Sequence, residues 1–268
     1  MRALLLQQLR DRRRSLIGWT LGWVTLVGMY VATWPTVRAH GKQYDDILRD
    51  LPVALRSAIG TQGGGAFSTP AGYFTAELLA VTGPALAMTM GVLLGGNATA
   101  REEEDGTLEV LLAQPLSRTR LLLARTLEAL IEIAGVLLVA GLSLYALGTL
   151  VTLRLDLVTC VRAVAMLGLL AAEGLSLGLL VGALTGRAGR SKAMAGAAGL
   201  LAFLLNALGP SIDGMHRLAS LSPFHTLVAS DPFRRVPPVT AVIALLLPSI
   251  VMLVAAVQTF RRRDLRLR

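Results

Sequence analysis

Ala163-Val-Ala-Met-Leu-Gly-Leu-Leu-Ala-Ala-Glu-Gly-Leu-Ser-Leu-Gly-Leu-Leu-Val-Gly-Ala-Leu-Thr-Gly186 contains a single ionisable side chain, Glu173. A helix needs about 20 mostly apolar residues to cross the hydrocarbon of a bilayer, and this run supplies them. Five further runs are free or nearly free of charge: Ser15–Val37, Leu78–Ala100, Ile133–Leu153, Ala193–Ile212 and Val236–Phe260. The 268 residues are 54% hydrophobic and 16% charged, with a mean hydropathy of +0.62. Soluble domains carry about 25% charged residues, so a water-facing surface could not be built from this stock. The expected fold is all-α, a polytopic membrane protein with six transmembrane helices and one transmembrane domain over 1–268. The spans are expected at about 15–37, 78–100, 127–153, 157–186, 193–212 and 236–260. What remains is split among tails and loops too short for a separate soluble catalytic domain. The first span is too long, and too poor in small residues at its end, for a cleaved signal peptide.

The net charge of +9 suggests nucleic acid until its distribution is considered. Clusters at Arg12–Arg14 and Arg261–Arg263 abut the first and last spans, and Arg101, Arg118, Arg120, Arg125, Arg187, Arg190 and Lys192 fall in the loops on the same side. That bias is positive-inside topology. It places both termini in the cytoplasm and makes the lipid membrane, with its anionic headgroups, the partner of the basic charge. A multi-pass protein of the plasma (cell inner) membrane is expected, with no nucleic acid bound.

Residues 1–14 read as a basic interfacial helix, with Leu5, Leu6 and Leu9 on one face. The segments 38–77 and 210–238 are outer loops. In the first, Ile47, Leu48, Leu51, Leu55 and Ile59 recur at helical spacing among charges, the pattern of an amphipathic helix, and Thr61–Gly65 reads as a flexible joint. In the second, Leu218, Leu221, Phe224, Leu227 and Val228 are too few to span. They fit either short helices buried against protein or a surface loop. Glycines repeat every fourth residue at Gly174, Gly178, Gly182 and Gly186, and pair at Gly18/Gly22 and Gly91/Gly95. This spacing lets helices approach closely, within one subunit or between two.

Catalytic constellations are missing. Cys160 is the only cysteine, and His40, His216 and His225 lie in outer segments with no metal-site spacing. The string Gly186-Arg-Ala-Gly-Arg-Ser-Lys192 has the wrong spacing for a phosphate loop, and no strand precedes it. Glu173 is the lead in the membrane. An ionisable group at mid-span costs roughly 3 kcal/mol on insertion scales, so it should face the bundle interior or water, either lining a translocation path or fixing packing. Glu128 and Glu132, on one face of the third span, should meet inner-loop arginines or a partner subunit.

The most specific stretch is Arg101-Glu-Glu-Glu-Asp-Gly-Thr-Leu-Glu-Val-Leu-Leu-Ala-Gln-Pro-Leu-Ser-Arg118. It opens with the acids Glu102, Glu103, Glu104 and Asp105, followed by a Gly106-Thr107 break. A two-turn helix with Leu108, Leu111 and Leu112 on one side is then ended by Pro115. Acids at a helix start are favoured by the dipole, but the leucines call for a partner surface. With Glu109, Ser117 and Arg118, these residues resemble the inner loop of ABC-2 type permeases, the six-span subunits of ATP-binding-cassette exporters. The resemblance implies that 101–118 is a cytoplasmic coupling loop between spans 2 and 3. Its short coupling helix, 102–112, would enter a cleft of a separate ATPase (nucleotide-binding) subunit. It further implies no cofactor on this chain, ATP and magnesium being bound by the partner, no enzymatic activity of its own, and a second permease copy completing a homodimer. The competing reading is an ATP-independent secondary transporter or channel that uses Glu173. No internal repeat supports it, since nothing in the second half matches the inner loop.

Overall fold

The structure, a computed structural model, describes residues 2–51, 66–98, 100, 104, 117–209, 212 and 214–262, the first of these as backbone alone up to residue 12. The described residues form helices and turns. In chain order these are α1 (Arg2–Ala39), α2 (Gly41–Asp50), α3 (Pro70–Phe74), a π-helical segment (Thr75–Thr82), α4 (Gly83–Asn97), α5 (Arg118–Leu150), α6 (Leu157–Thr185), α7 (Ala188–Leu208), α8 (His216–Ala219), α9 (Pro223–Ser230) and α10 (Val239–Arg262). Six stretches are long and apolar enough to cross a membrane: Arg13–Ala39, Pro70–Asn97, Arg118–Leu150, Leu157–Thr185, Ala188–Leu208 and Val239–Arg262.

The span edges follow local chemistry rather than the charge count. α1 runs unbroken from Arg2 to Ala39, so residues 2–14 and the first span share one helix. The second span starts at Pro70, inside the segment expected as loop 38–77. Thr69 caps it through its side chain, accepting from the Gly72 N–H at 3.1 Å. Glu77 and the threonines around it hide this start in hydropathy. The third span starts at Arg118, capped by Ser117. Of the expected amphipathic helix, α2 is described and ends where Leu51 turns extended; Leu55, Ile59 and the glycine joint lie outside the described residues.

The π segment has an identifiable cause. Pro84 brings no N–H to the helix, and the Gly83 N–H reaches back five residues to the Leu78 carbonyl. The Thr82 hydroxyl, 2.6 Å from the Glu77 carbonyl, donates to it and supplies a partner for backbone that the widened helix leaves open.

α6 is the centre of the bundle: α4, α5, α7 and α10 all pack on it. The α4–α6 contact is a mutual glycine crossing. A β-carbon at Gly91 would overlap the Ala171 carbonyl oxygen, and one at Gly95 the Leu175 carbonyl oxygen. In return, a β-carbon at Gly174 would sit 2.8 Å from the Met88 carbonyl oxygen, and one at Gly178 2.8 Å from that of Val92. The two backbones therefore touch, as small residues permit. Gly18 and Gly22 of α1 have open space around them. Leu21, Ile131, Leu138, Leu142, Leu201, Ile243, Leu247 and Val251 point outward from their helices, which in a membrane is the lipid-facing pattern.

Candidate functional site

Most of the inner loop expected to couple the chain to a partner, namely Glu102, Glu103, Asp105, Gly106, Thr107, Leu108, Glu109, Leu111, Leu112 and Pro115, lies outside the described residues. Glu104 is helical and exposed, and Arg118 opens α5. The base of α5, into which this loop leads, is braced. Arg125 pairs with Glu128 at 3.2 Å. Glu132, 6% exposed, accepts a hydrogen bond from the Ser15 hydroxyl of α1 at 3.1 Å. Glu128 thus meets an arginine, and Glu132 ties the third span to the first. Sequence spacing gives no hint of that tie, since the two residues are far apart in the chain.

Glu173 lies on a stripe of α6 formed by Arg162, Leu169, Glu173, Leu177 and Leu180, all partly exposed. The opposite side of the helix, with Gly174 and Gly178, is sealed against α4. One carboxylate oxygen of Glu173, Oε2, is buried and accepts no hydrogen bond. At the far end of the same stripe Arg162 donates through Nε to the Pro232 carbonyl at 2.8 Å and through Nη2 to the Thr159 hydroxyl at 3.1 Å. Just outside the span, hydrogen bonds from Thr159, side chain first and then backbone, hold the Asp156 carboxyl below the ordinary aspartate range. Asp156 is the N-cap of α6.

Within the segment after α7, α9 is packed onto protein, whereas Leu218 and Leu221 are exposed. Phe224 and Leu227 of α9 are buried, Phe224 meets Phe203 of α7 edge-on at 5.4 Å, and the Ser222 hydroxyl donates to the Ala202 carbonyl at 2.8 Å. Asp231 ends α9 in the left-handed region at φ 45°. It receives the Thr75 hydroxyl at 3.2 Å and Arg234 at 3.3 Å. Phe233 then stacks obliquely on Phe74 at 5.8 Å. The segment is thereby pinned to the π-helical start of the second span and to α6.

A second polar group sits where the first two spans meet. Tyr30 and Thr82 hydroxyls lie 2.6 Å apart, and Tyr73 and Thr33 hydroxyls 2.5 Å apart, among the packed rings of Trp34, Tyr73 and Phe67. Sequence reasoning does not single these residues out, since each is an ordinary aromatic or threonine of an apolar span. Among the described residues no three His, Cys, Asp or Glu side chains come together in a way that could hold a metal ion.

Six helical stretches long and apolar enough to cross a membrane, packed around a glycine crossing, define a polytopic membrane protein. A family model described as ABC-2 family transporter protein matches residues 2–265. The chain belongs to that family, the membrane-spanning permeases of ABC transporters. No curated protein matches the sequence.

Proposed function

We propose that this chain is the permease subunit of an ATP-driven exporter and works as a homodimer with two copies of a separate ATPase subunit. The observation that carries this reading is the family match over nearly the whole chain, joined to the acidic, Gly-Thr-broken, leucine-faced inner loop. The permease sits in the plasma membrane with both termini in the cytoplasm, as the basic clusters favour. Residues 102–112 form the coupling helix, with Leu108, Leu111 and Leu112 seated in the ATPase and Glu102–Asp105 at its entrance. ATP and magnesium bind on the partner, and this chain hydrolyses nothing. ATP-driven closure of the partners pushes the two coupling loops together. That motion reaches α5 directly, because the loop leads into it, and reaches α1 through the Ser15–Glu132 tie. The two permease copies then repack around a path on which Glu173 is the polar point.

Co-expression of the tagged permease with an ATPase expected from a neighbouring reading frame tests this. An equimolar complex with vanadate-sensitive ATP hydrolysis, absent from the permease alone, is the expected result. Transport by the permease in vesicles containing no ATPase would overturn it in favour of a secondary transporter.

A further inference from the structure

Among the described residues, no cationic side chain pairs with the Glu173 carboxyl. The helices packed on α6 bring no cation to the depth of this residue: Gly83–Asn97, Ile133–Leu150, Ala193–Leu208 and Val239–Phe260 contain no Asp, Glu, Lys or Arg, and Glu132, which the α5–α6 register places level with Glu173, is itself an acid and accepts from Ser15. The other charged residue of α6, Arg162, is about 16 Å away along the axis at 1.5 Å per residue, and it is engaged with Pro232 and Thr159. Oε2 of Glu173 is closed off from solvent without a hydrogen-bond donor. The neighbours along its stripe, Leu169, Leu177 and Leu180, are apolar and partly open. Such a carboxylate is disfavoured against lipid, and buried charges are ordinarily paired. Directly above, the Arg162–Pro232 contact seats the packed outer segment over the same face of α6, so the stripe runs from mid-membrane to the underside of that segment.

We propose that Glu173 is the recognition point for a cationic group on the transported molecule, and that the substrate is a hydrophobic monocation. The leucines of the stripe accommodate its apolar body, and its positive charge supplies the partner that the helices omit. This deepens the exporter reading and rests on it for the direction of transport, but the binding step needs no ATPase.

The full-length permease in lipid nanodiscs, without ATPase, is dialysed to equilibrium against tetraphenylphosphonium and, separately, against tetraphenylborate. The two probes share a shape and differ in the sign of their charge. The expected result is saturable binding of the cation and none of the anion, with Glu173→Gln weakening the cation by at least about tenfold and Glu173→Asp by a few-fold at most. Thermal unfolding of each variant shows that it is folded. If Glu173→Gln does not fold, discrimination between the two probes by the unaltered protein still decides. Equal binding of both ions, no saturable cation binding, or undiminished cation binding by folded Glu173→Gln overturns the proposal. Failure to find an ATPase partner would instead sink the exporter reading and leave this binding result standing.

Discussion

At the scale of single residues, the glycines divide into those that hold the bundle and those that do not. Gly91 and Gly95 face backbone, which cannot rotate away as a side chain could. Gly91→Val must therefore part α4 from α6. Overpacking of this kind costs about 1–3 kcal/mol, and the α4–α6 crossing leaves little room for relief. A clear fall in the thermal midpoint of the purified protein is expected. Gly135, on α5, has open space around it, and Gly135→Ala should hold or raise the midpoint, since alanine favours a helix by roughly 1 kcal/mol. Equal effects of the two changes would remove the glycine crossing from the description. The glycine spacing is plain in the sequence, but whether it joins helices of one chain or of two is not. Period alone carries no partner identity, and only the α4–α6 geometry supplies it. Glu132 is a similar case. Ser15, which donates to it, belongs to a different helix, so its own neighbours in the chain say nothing about this bond.

Among the elements, the outer segment is the one whose packing departs most from a loop. α9 is held at one end by Ser222 and Phe224 on α7, and at the other by Asp231 on Thr75. Removing a buried phenylalanine costs about 3–5 kcal/mol, so Phe224→Ala should release this element locally. Hydrogen exchange should rise over Pro223–Ser230 and leave α5 and α6 protected. Asp231→Ala should expose the start of the second span as well, because Thr75 loses its acceptor and a β-carbon-bearing residue still has to hold φ 45°. Uniform exchange changes along the whole chain would mean that α9 is not a separate unit. The six spans are legible from hydropathy because charge is sparse within them. The start at Pro70 is not, because Thr75, Glu77 and Thr82 look like loop and owe their helical state to the Thr69 cap, the missing Pro84 N–H and the Tyr30–Thr82 contact.

For the whole molecule, the proposed topology has six crossings with both termini on one side, which the arginine clusters favour as the cytoplasm. A reporter active only in the cytoplasm, fused after Arg268, should be active; activity only from a reporter that needs export would reverse the topology. The inner loop is the opposite of the bundle in what it shows. Its motif is the most legible feature of the sequence, whereas its partner-dependent seat cannot be read from a single chain. Burying a leucine side chain is worth roughly 1.5–3 kcal/mol, and an aspartate in its place brings an uncompensated charge into the cleft. The double substitution Leu111→Asp/Leu112→Asp touches no span, so the permease should still insert and purify normally. The decisive measurement is the amount of ATPase retained by this variant on affinity purification, followed by transport in vesicles. Loss of the ATPase together with loss of transport is predicted, and full retention of both would contradict a coupling role for residues 102–112.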